Sequence, residues 1–105
     1  MTTKFESPIN TGQQLMAITA EECGELTQVC MKMMRKHEYL ENMFYDKKFR
    51  AKLVEEAGDV LCMLELMSEH GLFDWDEIYE RADHKKEKLK VWSTLINDEQ
   101  DYTAD

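Results

Sequence analysis

The stretch EECGEL, residues 21–26, returns thirty-four residues later as EEAGDV, residues 55–60, with the same order of types: acid, acid, small, glycine, acid, aliphatic. Its flanks carry a helical period. At about 100° per residue, Leu15, Ile18, Leu26, Val29 and Met33 lie within roughly 60° of Glu22, and so does Glu25. In the second copy, Phe49, Leu53, Val60, Met63 and Met67 lie within roughly 60° of Glu56, together with Asp59. Each helix therefore carries two acids inside its apolar stripe. Gly24 and Gly58 fall roughly 160° away, where they would permit close packing on the opposite side.

Outward from the two hexapeptides the chain reads as helix almost throughout. Breakers are scarce, with one proline, Pro8, and four glycines, of which only Gly71 is placed as a helix stop. The pattern predicts a first long helix from Thr11 to His37, a less periodic connector from His37 to Asp46 with room for a short turn, and a second long helix from Lys47 to His70. Asp74, with Glu77 three residues on, resembles an N-cap and capping box for a third helix running to Leu95. Residues 97–105, NDEQDYTAD, form an acidic tail. The expected fold is all-α: one domain over residues 1–105 with its core in about 11–95, made of three long helices and a connector. Three such helices barely enclose a core, so a four-helix core completed in a homodimer or a dimer of dimers is expected.

Charge and composition exclude several classes. With 22 acidic and 13 basic residues the formal charge is −9, which opposes a nucleic-acid or anionic-membrane footprint. No apolar run approaches the ~18 residues of a membrane span, and MTTKFESPINTG at the start is polar, so a cytoplasmic protein is expected. Cys23, Cys30 and Cys62 have neither disulfide-framework nor zinc-knuckle spacing and read as buried, reduced thiols.

Carboxylates withdrawn from water without partners are costly, and four of them converging on one seam also repel each other. Lys32, Lys36 and Lys52 lie near the stripes but are too few and too flexible to neutralise both pairs. A divalent cation does so directly: hard oxygen ligands at i and i+3 on two facing helices suit magnesium, or manganese. On this reading the motif is doubled because each helix supplies half of a metal site. Without metal, an amide in place of one acid, such as Glu56, should leave stability unchanged or raise it. Competing readings are a capping box at Thr19 and Glu22, salt bridges at a subunit seam, and a di-iron bundle. The last requires Glu-x-x-His, whereas Met34, Met67 and Arg81 stand three residues before the histidines.

Glu21-Glu22-x-x-Glu25 followed by Glu56-x-x-Asp59 resembles the signature of the MazG-like, all-α nucleoside triphosphate pyrophosphohydrolases, over roughly residues 11–95. The resemblance implies that Glu22, Glu25, Glu56 and Asp59 hold magnesium and form the catalytic centre, with Glu21 outside it. It implies hydrolysis of a nucleoside triphosphate to monophosphate and pyrophosphate. Phosphoribosyl-ATP and dUTP or dCTP pyrophosphatases of the same superfamily are alternative readings, and a noncatalytic helical interaction module is another. The thirty residues between Glu25 and Glu56 stand at the long end of the family pattern. Members often carry a basic helix that reaches the phosphates; here ADHKKEKLKVW, residues 82–92, offers Lys86 and Lys88, without the usual asparagine and terminal arginine. Lys32 and Lys36, a turn or more beyond the first acid pair, are further candidates for binding phosphate. Phe44, Tyr45, Phe49, Trp75, Tyr79 and Trp92 are the possible stacking surfaces for a nucleobase.

Overall fold

A computed structural model describes residues 9–96. Within them are four helices and no strand: α1 (Thr11–Lys36), α2 (Leu40–Tyr45), α3 (Lys47–Glu69) and α4 (Trp75–Trp92). The all-α expectation holds, and the connector does contain a helix of its own. The acidic tail lies outside the described residues. Contacts divide the chain into two compact units, residues 1–70 and residues 71–105.

In the first unit α1 packs on α3, and α2 packs on α3 as well. The start of α1 is set by Asn10, whose side chain accepts from the Gln13 N–H at 2.8 Å while Gln13 Oε1 accepts from the Asn10 N–H at 3.1 Å. That reciprocal pair satisfies two of the orphan donors of the first turn. A capping box at Thr19 and Glu22 is thereby removed, since Thr19 sits mid-helix and its hydroxyl donates to the Leu15 carbonyl at 2.6 Å. Asp46 starts α3 by accepting from the Phe49 N–H at 3.1 Å. Its other oxygen accepts from His37 Nε2 at 2.7 Å and pairs with Lys36 Nζ at 3.0 Å. One carboxylate thus ties the end of α1 to the start of α3 across the connector. The hydrogen bonds from His37, the Phe49 N–H and Lys36 hold the Asp46 carboxyl far below the ordinary carboxylate range, with the His37 bond the largest cause.

The core between α1 and α3 is small. Leu15, Val29, Met33 and Met63 are its buried hydrophobic residues, and Glu56 is buried with them. Ile18 and Leu53, expected on the inward stripe, are 42% and 38% exposed, so the stripes are wider than the face that one helix covers. All three cysteines are free, but they are exposed rather than buried. Cys23 and Cys62 each follow or precede an inward residue by one position, and about 100° of rotation takes them off the packed face. A Cβ built on Gly24 or Gly58 meets no atom within 4 Å among the described residues, so neither glycine is needed for packing inside the chain.

Gly71 ends the second long helix as expected, at φ 80°. A side chain there would press Cβ on the carbonyl oxygen, so Gly71→Ala should cost about 1–2 kcal/mol. Chemical denaturation of the two proteins measures the difference. In the second unit, the Asp74 N–H donates to Glu77 Oε1 at 2.9 Å, the expected return half of a capping box at the start of α4. The helix stops at Trp92, three residues short of the expected Leu95. Ser93 is extended there, and both its N–H and its hydroxyl donate to the Leu89 carbonyl at 2.9 Å, closing the last turn.

Candidate metal centre

Glu22 and Glu25 lie one turn apart on α1, and Glu56 and Asp59 one turn apart on α3. Where the helices pack, one carboxylate oxygen of each comes within 4.8 Å of the others. The i, i+3 spacing puts each pair on one face, and the apolar neighbours Val29 and Met63 hold those faces together. Glu56 is 2% exposed, the one buried charged residue among those described. Glu21 is exposed, as its position on the helix implies.

The electrostatics pull the acids in opposite directions. Burial, then the charges of Asp59 and Glu56, push the Glu22 carboxyl above its ordinary range. A hydrogen bond to Glu56, then the charge of Glu22, does the same to Glu25. Glu56 is held low, because Lys52 Nζ stands 3.1 Å from its Oε1. Lys52 also reaches Glu55 Oε2 at 3.3 Å. Lys52 therefore does more than its flexibility suggested, but it satisfies only one oxygen. Oε2 of Glu22 and Oε2 of Glu56 are buried and accept no hydrogen bond among the described residues. Two orphaned, acceptor-only oxygens inside a set of four carboxylates match the needs of a hard divalent cation, which takes oxygen ligands and tolerates waters in the remaining positions.

Next to the acids the surface opens into two adjoining clefts. One, of about 370 Å³, is lined by Glu25, Lys32, Phe49, Lys52 and Glu56 among others. The second, of about 450 Å³, shares Lys32, Phe49 and Lys52 and adds Lys36 and Lys48. Of the lysines expected to bind phosphate, Lys32 lines the cleft that holds Glu25 and Glu56, whereas Lys36 lines the larger cleft, lies 4.9 Å over the Phe49 ring and pairs with Asp46 at 3.0 Å. Lys48 and Lys52 belong to the same rim and were not picked out as phosphate ligands; their spacing from Glu56, eight and four residues back on one helix, is the signal that marks them. Lys86 and Lys88 are exposed on α4, in the second unit. Among the aromatic candidates Phe49 lines both clefts, whereas Phe44 and Tyr45 stack edge-on with each other at 5.1 Å and are largely exposed. Trp75 packs against Phe73 and Tyr79 in the second unit.

Residues 10–90 match the family model of the MazG nucleotide pyrophosphohydrolase domain. The chain belongs to that family. Searches of curated proteins and of solved structures found no match. The long interval between Glu25 and Glu56 holds the end of α1, all of α2 and the first turns of α3. The MazG domain is an enzyme fold acting on nucleotides, and no helix among its described residues is long and apolar enough to cross a membrane.

Proposed function

We propose that this MazG domain hydrolyses a nucleoside or deoxynucleoside triphosphate to the monophosphate and pyrophosphate, with Glu22, Glu25, Glu56 and Asp59 holding magnesium, or manganese in its place. The observation that carries the reading is the convergence of four carboxylates, two of whose oxygens, Oε2 of Glu22 and Oε2 of Glu56, are buried without a hydrogen-bond donor among the described residues. A bound divalent cation would offset charge on the phosphate chain and activate water for attack. The chain's own residues position the parts: the quartet fixes the cation end, Lys32 in the adjoining cleft receives phosphate oxygens as a point charge, and Lys36 in the larger cleft does so on leaving Asp46. Lys86 and Lys88 on α4 are proposed as further phosphate ligands. Cleavage between the α and β phosphorus atoms should release monophosphate and pyrophosphate in equal amounts, which ³¹P NMR of the reaction reads directly. Orthophosphate and diphosphate as primary products would contradict it.

The substrate reading also covers assembly. The core has few buried hydrophobic residues, while Ile18, Met31, Met34, Leu53, Val54 and Leu61 on α1 and α3 are all at least 38% exposed. An apolar hollow of about 240 Å³, lined by Met33, Met34, Met43 and Leu53 among others, draws on α1, α2 and α3. These surfaces support a four-helix core completed as a homodimer or dimer of dimers, with the domain proposed to span residues 1–105. Free thiols agree with a reducing, cytoplasmic setting. Light scattering should give at least twice the 12.4 kDa chain mass at micromolar concentration; a fully active monomer would contradict the assembly.

A further inference from the structure

Lys52 has a placement that the acid quartet does not require. Its ammonium reaches Glu56 from the solvent side, 3.1 Å from Oε1, while the other oxygen, Oε2, is buried and accepts no hydrogen bond among the described residues. The lysine side chain is itself 53% exposed against 3% for that of Glu56, so one partner is fixed and the other is free to move. It lines both clefts, on the same helix as Lys48 and facing Lys32. Around the larger cleft the lining has four lysines and one acid, Glu55, and so favours an anion.

We propose that Lys52 competes with the divalent cation for Glu56, and that once displaced its ammonium binds phosphate oxygens of the substrate in the cleft it lines. This rests on the metal-site reading above. A divalent ion held by the Glu56 carboxylate would bring two charges to within a few ångströms of the ammonium. Attraction to Glu56 is then outweighed by repulsion from the cation, and a long, hydrated side chain turns to the next anion within reach. In the cleft that anion is the phosphate chain. The same lysine thus opposes metal binding when no substrate is present and favours substrate when metal is present, which couples the two events.

Two opposite changes should follow in Lys52→Met, with Lys52→Gln as a second variant and helical circular dichroism as the check on folding. By isothermal titration calorimetry without nucleotide, magnesium or manganese should bind roughly tenfold more tightly than to the parent, the size expected for removing a unit charge a few ångströms from the site. At saturating metal, inorganic pyrophosphate should bind roughly tenfold more weakly, since one phosphate contact is gone. Metal binding that is unchanged or weaker in both variants overturns the competition. Tighter metal binding with unchanged pyrophosphate affinity overturns the transfer to phosphate. A parent that binds no metal refutes the four-acid site itself, and this inference with it, so the two failures are distinguishable.

Discussion

Glu56→Gln should lower kcat/KM for nucleoside triphosphate hydrolysis by at least ~100-fold, beyond the ~10–100-fold that residues outside a metal's direct ligands typically cost. Glutamine keeps the volume of the side chain, but it replaces one acceptor oxygen with a donor and removes the charge. The oxygen that is buried without a partner would then be either lost or faced by an amide N–H. Steady-state kinetics over a magnesium titration checks this. The deficit should persist at saturating substrate and should not be repaired by Glu56→Asp, whose shorter arm withdraws the carboxylate from the other three. Activity within a few-fold of the parent would mean that Glu56 serves only to pair with Lys52.

Magnesium should stabilise the parent strongly. A ligand that binds the folded state alone contributes RT ln(1 + [L]/Kd), about 2.7 kcal/mol at a hundredfold excess over Kd. For a domain of this size that corresponds to a rise in Tm of roughly 10–20 °C. The cleanest variant for the complementary measurement in EDTA is Glu22→Gln. Sequence reasoning chose Glu56, but Lys52 pairs with Glu56, so an amide there removes a partner as well as a repulsion. Among the described residues no cation pairs with Glu22, and its carboxyl is raised by burial and by Asp59 and Glu56. A raised folded-state value means that the charged form destabilises the fold at neutral pH, and that the penalty is relieved as pH falls through that value toward the unfolded one. Glu22→Gln in EDTA should therefore melt above the parent at pH 7, and the advantage should vanish by about pH 4. The magnesium increment should shrink sharply in the same variant. A large loss of Tm in EDTA, with no magnesium shift in the parent, would mark the acids as structural.

The helices and the convergence of the four acids were legible because both obey one period, although of the four only Glu56 is buried and Asp59 is exposed. Glu22 and Glu25, or Glu56 and Asp59, share a face by spacing alone, and the apolar neighbours say which way that face points. Other features needed tertiary information. Asp46 joins His37 and Lys36 across the connector, and no periodic rule links residues nine positions apart in a segment that changes direction. Ile18 and Leu53 lie on the expected stripe yet are exposed, because periodicity reports that a face is apolar and not whether the same chain covers it. The exposed thiols follow from the same limit: Cys23 and Cys62 were read by residue type, while their angle on the helix decides their burial. Lys52 was visible beside the stripe, but its bond to one oxygen of Glu56, leaving the other without a donor, is a matter of distances.

Electron paramagnetic resonance of manganese(II) tests the central claim most directly, because the free ion's signal falls as protein binds it, with no substrate and no turnover required. Titration with the parent should remove the free signal to a saturating, defined number of ions per chain. Glu22→Gln, Glu25→Gln, Glu56→Gln and Asp59→Asn should each weaken that binding by well over tenfold, while Glu21→Gln, one residue away but exposed, should bind like the parent. A parent that leaves the manganese signal intact, or quartet variants that bind as tightly as the parent, would contradict the claim that these four carboxylates form one metal site.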